Sequence, residues 1–341
     1  MRNEVRISPV RRLTTIELCA GAGGQALGLE LAGFEPLALV ELDPNACATL
    51  RLNRPDWPVV EDDLKDFDAT AFPEPDLLAA GIPCPPFSIA GKQLGKNDER
   101  DLFPLLLKRI KECHPRAVMV ENVRGLMGTT FAAYRRELRR KLDKLDYHIV
   151  KWDLVNASDF GVPQLRPRAI LVAFRKDQRV PFTWPSPIKG TPKTVGETLL
   201  PLMKAGGWRR AEEWAKKAST VAPTLVGGSK KHGGADLGPT RAKLAWRQLG
   251  VDGHGLADHP PTPGFRRSPR LTVEMAALIQ GFPVEWKIFG KKTAAYRQVG
   301  NAFPPPVAQA FGNAIAQALL HEPDEAVEFP PEQAELDIVN A

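Results

Sequence analysis

Short apolar segments alternate with amphipathic segments along the first half of the chain. Six apolar runs predict β-strands at residues 15–19, 36–40, 76–82, 117–120, 148–154 and 169–174. The segments between them predict helices over residues 26–32, 44–53, 101–113 and 131–145. Because strands that alternate with helices form βαβ units, this pattern predicts an α/β fold built on a parallel sheet.

The alternation stops after residue 175. Residues 181–201 contain five prolines, and residues 227–234 are glycine-rich and basic. This composition predicts an irregular unit at 176–267. Helical periodicity returns at 273–280 and 305–320. We therefore predict a main domain from 1–175 and 268–321, a smaller inserted domain at 176–267, and a mobile acidic tail at 322–341.

Composition narrows the class of protein. The chain has 341 residues, of which 43% are hydrophobic and 25% charged, as is ordinary for a globular protein. Its apolar runs are too short for a membrane span, and its basic N-terminus lacks the apolar core of a secretory signal. The four cysteines form no CxxC pair, which favours a reducing cytoplasm.

The net charge of +6 is distributed unevenly. The tail at 322–341 holds seven acidic residues and no basic ones. Residues 176–268 hold 16 Lys and Arg against seven Asp and Glu, a net charge of +9. The positive excess lies mainly in the inserted segment, which indicates a polyanionic partner such as nucleic acid.

A glycine-rich turn joins the first predicted strand to the first helix. Residues 20–24 read Ala-Gly-Ala-Gly-Gly, and Glu41 ends the next strand. Backbone amides of such a turn can approach a nucleotide, and the carboxylate can accept hydrogen bonds from ribose hydroxyls. Asp62 or Asp63 could bind an adenine amino group. The turn lacks the last glycine of GxGxxG, so an adenosine ligand without a pyrophosphate fits at least as well; a simple packing turn remains an alternative.

A cysteine between prolines follows the strand at 76–82. Pro83 and Pro85 fix the backbone around Cys84, at the strand edge where open α/β sheets bind ligands. The polar residues at 89–101 that follow resemble a lid, and their Lys92 and Lys96 could contact phosphate. The alternative is an inert cysteine of the core.

Two further polar groups fall at the same edge. Glu121 and Asn122 follow the strand at 117–120, so a carboxylate and a thiol can face one crevice. Arg166 and Arg168 flank Pro167 in extended backbone, which directs both side chains to one face, where they could bind a carbonyl or phosphate. A helix cap at Glu121-Asn122 and an ordinary strand start at the arginines are the alternatives.

In this order, these strings resemble the DNA (cytosine-5)-methyltransferases. The resemblance covers residues 13–175 and 268–320. It rests on the turn at 18–24, Glu41, Asp63, Pro83-Cys84, Glu121-Asn122-Val123, Gln164-x-Arg166-x-Arg168, and the segments at 280–283 and 298–305. It implies a Rossmann-like methyltransferase sheet that depends on S-adenosylmethionine, with a small irregular target-recognition domain inserted late and a last helix that returns to the glycine turn.

The resemblance also implies a role for each matching residue. Cys84 adds to carbon 6 of a flipped-out cytosine, Glu121 assists at ring nitrogen 3, and Arg168, with Arg166, holds the 2-carbonyl oxygen, while Asn122 positions the cysteine loop. The expected cofactor residues are Leu18, Ala20, Gly21, Gly23, Gly24, Glu41, Leu42, Asp63, Leu64, Pro83 and Asn301. The expected DNA contacts are Ser88, Lys92, Gln93, Lys96, Lys230 and Lys231.

Some positions depart from the family pattern, and other functions stay open. Pro85, Leu18 and Leu42 stand where the family commonly has Gln, Phe and Trp. A tRNA methyltransferase of the same superfamily, a nicotinamide-dependent oxidoreductase and a non-catalytic DNA-binding relative are the alternatives. The expected partner is double-stranded DNA, with the enzyme as a cytoplasmic monomer that can be paired with a restriction endonuclease acting on the same site.

Overall fold

A β-sheet lies at the centre of the computed structural model, which describes residues 12–82, 101–178, 180–228 and 234–321. In these ranges the sheet has seven strands. They are β1 (Leu13–Leu18), β2 (Phe34–Glu41), β3 (Val59–Glu61), β4 (Leu77–Gly81), β5 (Ala117–Val123), β6 (Tyr147–Asn156) and β7 (Pro167–Arg175). Their spatial order is β3-β2-β1-β4-β5-β7-β6. The predicted α/β class is confirmed, and β3 is a strand that the sequence pattern did not predict.

Helices flank this sheet and fill the later part of the chain. In the described ranges they are α1 (Gly24–Leu31), α2 (Pro44–Asn53), α3 (Phe103–Cys113), α4 (Ala132–Lys144), α5 (Val195–Ala205), α6 (Ala211–Lys217), α7 (Thr240–Gln248), α8 (Val273–Ile279), α9 (Lys292–Asn301) and α10 (Pro305–Leu320). Local capping explains several starts. Asp43 accepts a hydrogen bond from the Asn45 amide before α2, and Thr194 and Glu197 form a capping box at α5.

The direction of the strands corrects the expectation of a fully parallel sheet. Strands β1 to β5 pair in parallel, but β7 is antiparallel to both of its neighbours, β5 and β6. Because only a short connection links β6 to β7, no helix crosses over and the chain turns back on itself. Strand direction is set by that connection rather than by the residues of the strand.

Successive side chains of a strand point to opposite faces of the sheet and so pack in two different hydrophobic cores. In β4, Leu78 and Ala80 pack with the buried faces of α3 and α4, whereas Leu77 and Ala79 pack with α1 and α10. The centre of the sheet is thus covered by helices on both faces, which explains the uninterrupted apolar runs of β4 and of β5 up to Val120. This layering leaves the ends of the strands as the places where polar side chains can gather.

The strand order predicts a ligand crevice at the carboxyl ends of β1 and β4. From β1 the chain proceeds outward to β2 and β3, and it then returns to the other side of β1 to build β4 and β5. At such a topological switch point the connections leave in opposite directions, and open α/β sheets bind ligands there. The glycine turn and Glu121 both lie at this edge of the sheet.

The inserted segment contains helices α5 to α7 and, among its described residues, no strand. Three tryptophans of the insert, Trp208, Trp214 and Trp246, are buried. They share one continuous cluster with Ala22 and Leu50 beside the glycine turn. The insert therefore packs directly against the layer that carries the glycine turn, while the boundaries at 176 and 267 stay predictions.

The last helix returns to the first one, as expected. A Cβ on Gly28 of α1 would lie 2.5 Å from the Cβ of Ala308 of α10, so the missing side chain allows the two helices to approach closely. Among the described residues, no helix is long and apolar enough to cross a membrane.

Candidate active site

The glycine turn combines one open position with two crowded ones. Gly21 and Gly23 have φ of +56° and +81°, a region that favours glycine. A Cβ on Gly23 would lie 2.6 Å from Leu50 Cδ2, and a Cβ on Gly24 would overlap the carbonyl oxygen of Phe303. Among the described residues, no atom would lie within 4 Å of a Cβ on Gly21. The crowded glycines fix the turn, and the space beside the Cα of Gly21 is open to a ligand.

Glu41 is held against this turn. Its Oε2 accepts a hydrogen bond from the Gly21 amide at 2.7 Å, and its Oε1 accepts one from the Asp43 amide at 2.7 Å. Each carboxylate oxygen keeps a second lone pair, so the group can still accept from a ligand hydroxyl. Leu42, next in the chain, is 61% exposed. A carboxylate and an exposed apolar side chain thus lie side by side at the end of β2.

The third strand adds Asp63. Its Oδ1 accepts a hydrogen bond from the Lys65 amide at 3.0 Å, and its Oδ2 lies 3.1 Å from Lys65 Nζ. The backbone hydrogen bond and the Lys65 charge lower the pKa of Asp63, which keeps the carboxylate charged. The Asp62 amide donates to the carbonyl of Glu41 at 3.1 Å, which ties this loop to the end of β2.

Three of the expected cofactor residues have side chains in the core. Leu18 is fully buried, and Ala20 and Leu64 are 5% exposed. The core position of these side chains leaves only their backbone atoms to contact a ligand.

A buried acid lies below the turn and was not among the expected residues. Glu17 of β1 is 1% exposed, and its Oε2 has no hydrogen-bond partner within the described ranges. Burial raises the pKa of this carboxyl well above its ordinary value, and the nearby charge of Glu41 adds to the rise. The sequence signal was available, because Glu17 is the single charged residue of the strand Leu13–Leu18.

These features fit S-adenosylmethionine. Gly21 leaves space beside its Cα, and the carboxylates of Glu41 and Asp63 follow β2 and β3 at the same edge of the sheet. Glu17 of β1 adds a buried carboxyl whose Oε2 has no hydrogen-bond partner among the described residues. Carboxylates suit ribose hydroxyls and an adenine amine, and their charge suits the sulfonium cation of this cofactor. An acidic crevice would fit the pyrophosphate of a dinucleotide poorly, because like charges repel.

An ion pair occupies the end of β5. Glu121 of β5 lies opposite Gly81 of β4 in the parallel register, and Arg168 of β7 lies opposite Val123 of β5. Arg168 Nε is 2.7 Å from Glu121 Oε1, and the two side chains are only 12% and 11% exposed. Burial raises the pKa of Glu121, while the positive charges of Arg168 and Arg166 oppose that rise. A buried carboxyl with a perturbed pKa at the edge of the sheet is a candidate for a functional group.

Asn122 connects this strand to the preceding one. Its Nδ2 donates to the carbonyl of Ile82 at 3.3 Å, and its Oδ1 accepts from the Val123 amide at 2.8 Å. Ile82 is the last described residue of the β4 segment. We call Glu121, Asn122 and Arg168 the catalytic edge.

Arg166 requires a correction. Although it was expected beside Arg168 at the substrate, it has no exposed surface, and its guanidinium donates to three backbone carbonyls. These are Leu225 at 2.8 Å, Gly300 at 2.8 Å and Ala302 at 3.0 Å. Because these hydrogen bonds occupy its terminal nitrogens, Arg166 holds the fold together and does not face the crevice.

Two glutamines complete this buried network. Gln164 Oε1 accepts from the Leu225 amide at 2.8 Å, and its Nε2 donates to Gln280 Oε1 at 2.8 Å. Gln280 in turn donates to the carbonyl of Ala302. We call Gln164, Arg166 and Gln280 the insert seam, because they join the start of β7, the insert and the segment that follows α9.

Asn301 contacts the insert. Its Nδ2 donates to the carbonyl of Gly228 at 3.2 Å. The part of this segment that reaches the glycine turn is Phe303, whose carbonyl abuts Gly24. Trp286 also reaches the turn, where its Nε1 donates to the Ala22 carbonyl at 3.1 Å. Neither contact had a local signal in the sequence, because the partners are more than 250 residues apart.

Eight expected residues lie outside the described ranges. They are Pro83, Cys84, Ser88, Lys92, Gln93, Lys96, Lys230 and Lys231. The three cysteines inside those ranges are poor nucleophiles. Burial raises the pKa of Cys19, and it raises that of Cys47 and of Cys113 to about 12.

Comparison with known proteins adds sequence relatives and structures. The chain is 56% identical to the type II methyltransferase M.NaeI of Lentzea aerocolonigenes, over 92% of this chain and 77% of the relative. It is 49% identical to the type II methyltransferase M.NgoMIV of Neisseria gonorrhoeae, over 91% and 99%. The fold is similar to Spodoptera frugiperda DNMT2, with a TM-score of 0.62 and 18% identity over 89% of this chain and 99% of that one.

The family itself is identified by its sequence profile. Residues 13–317 match the family described as C-5 cytosine-specific DNA methylase. The match spans the glycine turn, the catalytic edge, the insert and the returning helices. The chain therefore belongs to the C-5 cytosine-specific DNA methylases, which transfer a methyl group from S-adenosylmethionine to carbon 5 of cytosine in DNA.

Proposed function

We propose that the chain methylates one cytosine within a specific double-stranded DNA sequence, with Cys84, Glu121 and Arg168 as its catalytic residues. The observation that carries these roles is the buried Glu121–Arg168 pair, 2.7 Å apart, at the carboxyl edge of the sheet. Gly81, opposite Glu121 in the register, precedes Cys84 by three residues. This places the end of the strand that leads to the cysteine beside the carboxyl group.

The reaction requires the target cytosine to leave the base stack, because carbon 6 is not accessible in the duplex. The Cys84 thiolate then forms a bond to carbon 6, and the electron pair of the ring moves toward carbon 5. Glu121 donates a proton to ring nitrogen 3, and Arg168 donates a hydrogen bond to the 2-carbonyl oxygen. A raised pKa at Glu121 supports the role of proton donor.

Release of the product reverses the addition. S-adenosylmethionine, when bound, would supply the methyl group that carbon 5 takes, with S-adenosylhomocysteine as the leaving group. A base removes the proton from carbon 5, the bond between sulfur and carbon 6 breaks, and the ring recovers its double bond while the thiolate is regenerated. Ring nitrogen 3 returns its proton to Glu121. Asn122, through its hydrogen bond to the Ile82 carbonyl, holds the backbone that leads to the cysteine.

The cofactor is held by the crevice at β1 and β2 in this proposal. The Gly21 backbone faces the ligand, Glu41 accepts from its ribose hydroxyls, Asp63 accepts from its adenine amine, and the exposed Leu42 packs on the adenine ring. Leu42 takes the place of the tryptophan that is common in the family, and it covers the ring with less area.

The biological setting follows from the relatives. Both M.NaeI and M.NgoMIV are named type II methyltransferases, and each aligns with more than nine-tenths of this chain. We infer that the enzyme acts in the cytoplasm as a monomer and protects its target sequence from a cognate restriction endonuclease. Bisulfite sequencing of DNA from cells that express the protein would show the modified base and its sequence context.

A tritium-transfer assay tests the catalytic roles. Cys84→Ser is expected to abolish transfer of labelled methyl to duplex DNA, whereas Cys113→Ala, a matched change of a buried cysteine, keeps it. The same preparations are offered tRNA as a second acceptor. Transfer by Cys84→Ser at the wild-type rate would overturn the covalent mechanism, and labelling of tRNA alone would overturn the choice of DNA.

A further inference from the structure

A basic groove lies in the insert and in the first residues that follow it. It has a volume of about 560 Å³ and is lined by residues of α7 and of the segment 251–270. Its basic side chains are Lys243, Arg247, His254, His259, Arg267 and Arg270. Among the described lining residues, Asp252 is the single carboxylate. None of these positions belongs to the expected DNA contacts.

Asp252 is already paired with basic groups of the groove. Asp252 Oδ2 lies 2.8 Å from Arg270 Nε, and its Oδ1 contacts the backbone amide of His254 at 3.0 Å and its Nδ1 at 2.9 Å. Burial alone would raise the pKa of Asp252, but these hydrogen bonds lower it to about 2. The carboxylate therefore stays charged and keeps Arg270 and His254 in place along one wall.

Two arginines keep their charge available to a ligand. Arg247 on α7 and Arg267 both line the groove and are exposed, and neither forms an ion pair with any residue in the described ranges. Lys243, by contrast, pairs with Asp236 at 2.8 Å. Two free guanidinium groups in one groove favour an anion as its ligand.

The groove is part of the same packed body as the glycine turn. Val251, which lines the groove, and Leu256 belong to the hydrophobic cluster that includes Ala22 of that turn. At its rim, Asp258 pairs with Lys292 at 2.7 Å, the first residue of α9. A duplex that reaches the crevice can therefore meet a second surface fixed rigidly to it.

We propose that this groove binds the phosphate backbone of the DNA duplex and positions the duplex without reading its bases. The inference rests on the proposed function, because it takes double-stranded DNA as the substrate. Contacts to phosphate give affinity that depends on salt and not on sequence, whereas an arginine that reads guanine gives specificity at one base pair. The groove makes the first kind of contact, through Arg247 and Arg267.

Fluorescence anisotropy tests whether the groove binds phosphate. It measures the affinity of the full-length protein for a duplex that contains the target sequence and for one that lacks it. Arg247→Gln and Arg267→Gln are each expected to weaken binding to both duplexes about equally. Each should reduce the slope of log affinity against log salt concentration by about 1. In steady-state methylation, KM for DNA rises while kcat and the bisulfite pattern stay unchanged.

Arg241→Gln is the matched control. Arg241 lies on the same helix, is exposed, and does not line the groove, so this variant removes one positive charge elsewhere on α7. The proposal expects near wild-type binding from it. Equal losses in Arg241→Gln and Arg247→Gln would overturn the proposal in favour of net charge alone, and a loss confined to the target duplex would overturn it in favour of base reading.

The two proposals can fail separately. Wild-type protein that transfers no methyl to DNA contradicts the proposed function. Wild-type protein that methylates DNA, with Arg247→Gln and Arg267→Gln indistinguishable from it in affinity and salt slope, contradicts the groove alone.

Discussion

Arg166 and Arg168 stand two residues apart at the start of β7, yet they serve two different regions. At the catalytic edge, Arg168 faces one carboxylate at 2.7 Å and keeps 12% of its side chain exposed. In the insert seam, Arg166 is fully buried and donates to three backbone carbonyls. The catalytic edge keeps hydrogen-bonding capacity for a substrate. In the insert seam, the terminal nitrogens of Arg166 donate only to groups of the fold.

The comparison separates two uses of a buried charge. A buried charge that donates to several carbonyls satisfies acceptors that water cannot reach, so its removal leaves those acceptors without a partner. A charge that meets a single titratable partner at a strand end can exchange that partner for a ligand group. We therefore expect changes in the catalytic edge to affect the reaction, and changes in the insert seam to affect stability.

The largest expected effect is that of Glu121→Gln on the reaction. The amide keeps the size of the side chain but cannot donate a proton as an acid does. We expect kcat to fall by roughly 10²- to 10⁴-fold, the range typical of a lost general acid. Single-turnover methyl transfer at saturating DNA measures this loss directly.

The matched control is Glu274→Gln, which removes an exposed carboxylate on α8 and should leave kcat unchanged. Thermal unfolding of both variants completes the test. If Glu121→Gln lost its activity only because it unfolded, the catalytic edge would be no different from the insert seam.

Arg166→Met is expected to show the opposite pattern. It leaves the carbonyls of Leu225, Gly300 and Ala302 without this donor, so we expect a loss of about 3 kcal/mol or more in the free energy of unfolding. At about 2–4 °C per kcal/mol, Tm falls by roughly 6–12 °C. Calorimetry measures the change.

Arg166→Lys keeps the charge and part of the hydrogen bonding, so it should recover part of the lost Tm. Folded Arg166→Lys is expected to retain kcat near the wild-type value. A folded Arg166→Lys variant with normal Tm and greatly reduced kcat would return Arg166 to the catalytic residues.

The same contrast explains what the sequence could predict. The apolar periodicity located six of the seven strands, and the order of motifs located Glu121 and Arg168 at one edge. Strand β3 was missed because it has only three residues. The role of Arg166 depends on carbonyls 59, 134 and 136 residues away, which no local pattern encodes.

The sequence predicted that the insert is basic, but it did not predict which of its cations lie together. The net charge of +9 for residues 176–268 indicated a polyanion, and that excess is where the basic groove lies. Which cations remain free could not be predicted, because it depends on pairs such as Arg270 with Asp252 that form only in the fold. The glycine turn was recognised, but the buried carboxyl of Glu17 beneath it was not.

Glu17 extends the comparison to a buried acid, one oxygen of which has no hydrogen-bond partner among the described residues. Its pKa is raised in the folded protein, mainly by burial, so the folded state binds more protons than the unfolded state between the ordinary glutamate pKa and the raised one. Stability is therefore greatest below the ordinary value and declines as pH rises through that window. Glu17→Gln removes the titrating group and should flatten this decline.

Tm measured from pH 4.5 to 8 for wild type and Glu17→Gln tests the effect, with the exposed Glu35→Gln as the control. We expect Glu17→Gln to differ from wild type in the slope of Tm against pH, and the two proteins to have the same Tm at the acidic end. Equal slopes for Glu17→Gln and wild type would mean that Glu17 does not titrate in this window.

The smallest expected effect concerns the glycine turn, where a Cβ would meet open space at Gly21 but close neighbours at Gly23. Gly21→Ala places a methyl group in open space at φ +56°, so we expect a loss of only about 1 kcal/mol in stability. Because that space is the proposed cofactor crevice, the affinity for S-adenosylhomocysteine should fall by roughly tenfold. Gly23→Ala would crowd Leu50 and Trp286 and should cost more stability. Calorimetric titration and thermal unfolding of both variants measure the two quantities, and Gly21→Ala with unchanged affinity would mean that the open side of the turn does not face the cofactor.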